Sequence, residues 1–134
     1  MTSATVSKQL IITVNNKVGT LAEVTSVVSN VGINLIAVCA YAVDNKGVII
    51  FVTEDNNQAR KLLKDEKYDV REEEVILLVL DNKPGELQKV TEKISKAGID
   101  LTLIYASVAK GGRTSRIVLI SEDNRAVLTT IKLK

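Results

Sequence analysis

The chain has 134 residues, 46% of them hydrophobic and 25% charged, and a formal net charge of +2. This is the composition of a globular chain long enough for one medium domain or two small ones. With no histidine and a single cysteine, it has no imidazole general base, no Ser-His-Asp or Cys-His arrangement, no histidine-ligated metal and no intramolecular disulfide.

The N-terminal stretch MTSATVSKQLIITV lacks the basic-then-apolar pattern of a signal peptide. The longest apolar run, Leu35 to Val43, is nine residues, against the ~20 that a membrane-spanning helix needs. No secretion and no membrane span are expected, and the lone Cys39 fits a reducing cytoplasm. Its 18 basic and 16 acidic residues are scattered, which argues against a nucleic-acid surface.

In chain order, QLIITV (9 to 14) is short, apolar and rich in β-branched residues, and reads as a strand. Leu21, Val24, Val28 and Val31 then recur with helical spacing, as one buried face. Thr20 and Glu23 suggest a capping box at its start, and Gly32 a left-handed stop. INLIAVCAYAV and VIIFV read as strands joined through the turn DNKG (44 to 47). Asp55 or Asn56 begins a second helix with Ala59, Leu62 and Leu63 inward, and Tyr68 to Glu72 reads as a last strand. Glu72, Glu73 and Glu74 are read as an exposed joint. The order then starts again: the strand VILLVL (75 to 80), a helix with Leu87, Val90, Ile94 and Ala97 inward, and a stop at Gly98. The strands IDLTLIYASVA and RIVLI flank the turn KGGRT, and a helix starting at Asp123 or Asn124 turns Val127, Leu128 and Ile131 inward.

This restart is an internal repeat. Residues 15 to 42 laid on residues 81 to 108 match at 11 of 28 positions, where chance gives about two. Past residue 108 the register grows from 66 to 68, so the second copy has two extra loop residues. The expectation is an α+β chain of two ferredoxin-like βαββαβ modules, 1–73 and 74–134, each an antiparallel sheet with helices on one face. The second module lacks a clear final strand. Iron-sulfur and metallochaperone versions of this fold need more cysteines. An RNA-binding version needs aromatics on its central strands, where Phe51 alone stands. No cofactor and no metal are expected.

The junctions VNNKVGTL (14 to 21) and LDNKPGEL (80 to 87) carry Asp/Asn-x-x-Pro-Gly-x-Leu or a variant of it, ahead of a helix ending in Gly-Ile-Asn/Asp-Leu. That pattern resembles the ACT domain, the small-molecule regulatory module of many amino-acid metabolic enzymes. From about Lys8 onward the chain resembles a free-standing pair of ACT domains. The second copy has the closer motif; the first has Asn15 for Asp and Val18 for Pro. The resemblance implies ligand contacts from Asn16, Lys17, Gly19, Thr20 and Leu21 in one loop, and from Asn82, Lys83, Pro84, Gly85, Glu86 and Leu87 in the other. It also implies crossed sites, with Asp100 facing the first loop and Asn34 the second. The residues themselves are compatible with this. A helix N-terminus suits a free carboxylate, glycine leaves the backbone uncovered, and asparagine offers both donor and acceptor. A plain turn and cap would use the same residue types.

The expected function is that of a cytoplasmic, non-enzymatic regulatory or sensor protein. It would bind a small amino acid between two ACT modules and modulate an enzyme of amino-acid metabolism. The alternative is a ligand-free structural interaction module, or a regulatory subunit of an amino-acid biosynthetic enzyme. Asn82 is expected to matter more than Asn16. The apolar edge VILLVL, without a fourth strand, needs cover from the N-terminal residues Thr2 to Ser7, from the strand Tyr68 to Glu72, or from a second chain; a homodimer is the favoured answer.

Overall fold

The computed structural model describes residues 3–108 and 110–132. The elements are β1 (Ser3–Asn15), α1 (Thr20–Ser29), β2 (Leu35–Val43), β3 (Lys46–Thr53), α2 (Asn56–Asp65), β4 (Asp69–Asp81), α3 (Glu86–Lys96), β5 (Leu101–Val108), β6 (Thr114–Ser121) and α4 (Asn124–Lys132). The chain falls into two compact units. One is Lys8–Glu73, the first copy; the other gathers the described residues of Met1–Ser7 and Glu74–Lys134, the second copy.

In the first copy the strands run in the order β2-β3-β1-β4. β3 lies antiparallel to both β1 and β2, with Leu10 opposite Phe51 and Ile12 opposite Ile49. Alternation along a strand sends these four side chains to one face, where Val24 and Val28 of α1 and Ala59 and Leu63 of α2 close over them. The second copy repeats the arrangement as β5-β6-β4-β1. Ile76 is opposite Leu119 and Leu78 opposite Ile117, under Val90 and Ile94 of α3 and Val127 and Ile131 of α4. Each large aliphatic or aromatic side chain fully buried in this way contributes roughly 1.5–3 kcal/mol.

The second copy therefore does have its fourth strand. It is supplied by the start of β1, Ser3 to Ser7, and Ala4 is packed among Ile76, Leu78 and Leu80. The VILLVL edge is covered from within the chain, which removes the reason for seating a second chain there. β1 and β4 are each thirteen residues long, so each strand serves one copy with its first part and the other with its last. For the same reason Glu72 to Glu74 are no linker. They lie inside β4, where Glu72 pairs with Lys8 at 3.4 Å and Gln9 Nε2 donates to Glu73 Oε1 at 3.2 Å.

Helix ends follow the sequence signals with one exception. Gly32 has φ 79°, and its N–H bonds Ser29 while that of Ile33 bonds Val28; Gly98 and Ile99 repeat both bonds onto Ser95 and Ile94. This pair of bonds is the left-handed stop. α2 ends the same way, on Ser-free ground, with Lys67 at φ 69°, and its N–H bonds Lys64 while Tyr68 bonds Leu63. A side chain in that region costs ~1 kcal/mol, so Lys67→Gly is expected to raise stability by about that amount in urea unfolding. Asp55 caps α2 through Gln58 N at 3.1 Å, and Asp123 does the same for Ala126 N at 3.0 Å. The exception is the start of α1. Its cap is Gly19 with no side-chain bond, so the Thr20–Glu23 capping box does not form; Thr20 is already the first helical residue. The inward faces are also shorter than their periodicity suggests. Leu21 and Leu87, in the first turns of α1 and α3, and Val31, past the end of α1, are 45%, 41% and 48% exposed, and Ala97, also expected inward, is exposed.

Candidate functional site

The corner between β1 and α1 is built by three local events. Asn16 N donates to Asn45 O at 2.9 Å and ties the loop to the β2–β3 hairpin. That hairpin turns tightly because Asp44 and Asn45 both take positive φ, 50° and 64°. Gly19 then turns the chain at φ 89°, a conformation that costs glycine little, and Glu23 N bonds Gly19 O to open the helix. A Cβ placed on Gly19 would meet nothing within 4 Å. Thr20 N donates to Lys17 O at 3.3 Å, and with no side-chain cap the remaining N–H groups of the first turn carry the positive end of the helix dipole.

Beside this corner lies a cavity of about 710 Å³, within the range of small-molecule sites. Asn16, Lys17 and Thr20 line its polar end; Val14, Leu21, Val38, Ala40 and Ile49 form an apolar wall. Val38 and Ala40 stand opposite Phe51 and Ile49 across the β2–β3 pairing, so they share the helix-covered face. Sequence reasoning missed these wall residues; the alternation of faces along β2 past its irregularity between Leu35 and Ala37 was the signal that could have found them. Within the cavity lining Lys17 is the one charged residue, and among the described residues it has no ion pair and Asn16 has no side-chain hydrogen bond.

The second copy repeats the backbone but not the chemistry. Gly85 has φ 86°, Lys89 N bonds Gly85 O, and Asn82 N bonds Arg113 O. Here, however, the Asn82 amide is engaged, donating through Nδ2 to Gly112 O at 2.8 Å. Glu86 takes the place of Thr20. It is 8% exposed, with Oε1 3.3 Å from Lys89 Nζ and 3.7 Å from Lys83 Nζ. The hydrogen bond from Lys89 holds its carboxyl below the usual range, against burial. In the first copy the first-turn acid is Glu23. The phenol of Tyr68 is pushed above its usual range, first by burial and then by the charges of Glu23 and Glu66.

Asn34 and Asp100 do not line this cavity. Asn34 stands past the far end of α1 and donates to Glu54 Oε1 at 3.4 Å. Asp100 lies past the end of α3, on a separate hollow of about 460 Å³ beside Ser95 and Gly98, and its N–H bonds Glu122. Val18, at the proline position of the motif, is fully solvent-facing. Cys39 is a free thiol, only half-buried in β2. Among the described residues no group of acidic or thiol side chains is placed to hold a metal ion, and no helix is long and apolar enough to cross a membrane.

Comparisons with known proteins agree with this architecture. The family model for the ACT domain pair matches residues 3–133, and a search of the curated proteins gives no match. Among solved structures the chain is similar to protein BT0572 from Bacteroides thetaiotaomicron, with 30% identity over 96% of this chain and 88% of that one and a TM-score of 0.88. It shares its fold with the ligand-free regulatory subunit of aspartate kinase from Thermus thermophilus, at 12% identity over 98% and 96% of the two chains and a TM-score of 0.69. The corresponding subunit from Thermus flavus gives 13% identity over 97% and 94%, with a TM-score of 0.62. With two units of four strands and two helices, a glycine-turned corner in each and a family match along the described length, this chain belongs to the family of ACT domain pairs.

Proposed function

We propose that the protein is a non-enzymatic sensor that binds a free amino acid at the β1–α1 corner and passes that state to an enzyme of amino-acid metabolism. The observation that carries this reading is the cavity at the uncapped start of α1, with unengaged Asn16 and Lys17 at one end and an apolar wall at the other. A carboxylate placed there meets backbone N–H groups and a lysine, while a side chain meets the wall. Family membership supports a regulatory role, and two structural neighbours are regulatory subunits of aspartate kinase.

A thermal-shift screen of the twenty common amino acids at millimolar concentration tests the reading. A ligand at ~100 times its Kd adds about 2.7 kcal/mol to the native state, which for a chain of this length is a rise of several degrees. No shift with any of them would leave the ligand-free interaction module as the better reading.

The same reading includes a homodimer in the cytoplasm, formed not at β4 but at β2. That strand ends the order in its copy, and its nine residues, LIAVCAYAV, carry no charge, so nothing discourages pairing along its outer edge. A second copy there would bring another set of strand-entry residues, Asn34 or Asp100, toward the loop. Light scattering across micromolar concentrations is expected to give the mass of two chains; the mass of one throughout would remove the dimer.

A further inference from the structure

The two loops are copies of one another in backbone, and they differ in what their polar side chains are already doing. In the second copy, Asn82 is spent on the Gly112 carbonyl, and Lys83 faces the Glu86 carboxylate at 3.7 Å. In the first copy, the aligned Asn16 and Lys17 have no such partners among the described residues. The residue aligned with Glu86 is Thr20, a neutral hydroxyl, and the acid in the first turn of α1 is Glu23, where the second copy has Lys89. Glu86 thus puts the chain's own carboxylate at the start of α3, beside the lysine that corresponds to Lys17. A free carboxylate arriving at that corner meets Glu86 at the first helical position; at the start of α1 that position is neutral, and the acid of the first turn, Glu23, stands three residues further on.

We propose that the chain takes one amino acid, with an apolar side chain, at the first copy, while the second copy is closed to free amino acids because Glu86 and the hairpin carbonyl already engage Lys83 and Asn82. The ligand class follows from the wall. Val14, Val38, Ala40 and Ile49 offer dispersion contacts and no hydrogen bonds, Thr25 and Tyr41 are the polar side chains of the lining beyond the loop, and no acidic residue lines the cavity to receive a lysine or arginine side chain. Lys17 reads the α-carboxylate in the way that Lys83 holds Glu86. This inference rests on the proposed sensor function and adds its stoichiometry, its ligand class and the asymmetry between the copies.

The experiment is a titration of the full, nitrogen-15-labelled chain with leucine, lysine, glutamate and acetate, following the amide signals of Leu21 and Ala22 in α1 and of Leu87 and Gln88 in α3. Leucine is expected to move the α1 signals and leave those of α3 in place, with calorimetry giving one site per chain. Lys17→Ala should weaken leucine binding at least ~10-fold, the loss of one charge-assisted contact, and Lys83→Ala should leave it within twofold. Glu86→Thr is expected to bring the α3 signals into the titration and raise the stoichiometry to two; Glu86→Gln, which keeps the side-chain shape, serves if the threonine variant does not fold. Movement of the α3 signals in the unmodified chain, their silence in both folded Glu86 variants, or tighter binding of lysine or glutamate than of leucine would each overturn the proposal. Silence of the α1 signals toward every probe would instead bring down the sensor reading itself, so the two failures are told apart by which helix responds.

Discussion

Removal of residues 3–7 is expected to unfold the second copy and leave a self-associating chain. Among the described residues these supply the strand on the outer side of VILLVL within that unit, and Ala4 sits in its core at 6% exposure. Loss of a strand forfeits a net ~1 kcal/mol for each hydrogen bond, together with the apolar area of Ala4, and it exposes an uncharged six-residue apolar edge. Against a total stability of roughly 5–15 kcal/mol, that is enough to decide folding. The first copy, whose strands are β2, β3, β1 from Lys8 and β4 to Glu73, should keep its amide protection. Hydrogen exchange and light scattering on the shortened chain provide the check. Native protection of β4, β5 and β6 in a monomeric shortened chain would contradict the placement of β1 as their fourth strand.

The Leu78→Lys variant should be the most damaging single change. Leu78 is 0% exposed and lies opposite Ile117 in a cluster with Ile76, Leu80, Ile94 and Leu119. The substitution removes buried aliphatic volume and brings in an ammonium that no acid in that cluster can meet. The cost is on the order of 5 kcal/mol, at the extreme of what single substitutions do. Leu78→Met, which conserves volume, should stay below about 1.5 kcal/mol. Chemical denaturation of the two variants separates a core position from an intersubunit one. If the lysine variant melted like the parent protein and only changed its oligomeric mass, Leu78 would have to lie at a contact between chains.

What the sequence by itself determined is everything local and everything repeated. Strand alternation in QLIITV and VILLVL, the spacing of Val24 and Val28 or Val90 and Ile94, and the glycines at 32 and 98 each act through the few residues around them, so they are legible without the fold. The 66-residue repeat then dictates the same unit twice, and the glycine corners at 19 and 85 mark the same place in both. Tertiary structure decided the rest. That Ser3 to Ser7 complete the second copy is a pairing across some seventy residues, and β1 and β4 show no break in the sequence where they pass from one unit to the other. The exposure of Leu21 and Leu87 depends on what the fold places beside the first turn of each helix, which periodicity along the helix cannot report. The closer motif in the second loop pointed to Asn82, yet motif similarity measures backbone requirements, which both loops meet. Whether Asn82 and Lys83 are available depends on Gly112, thirty residues away, and on the carboxylate rotamer of Glu86, and those contacts exist only once the hairpin and the helix have been brought to the same corner.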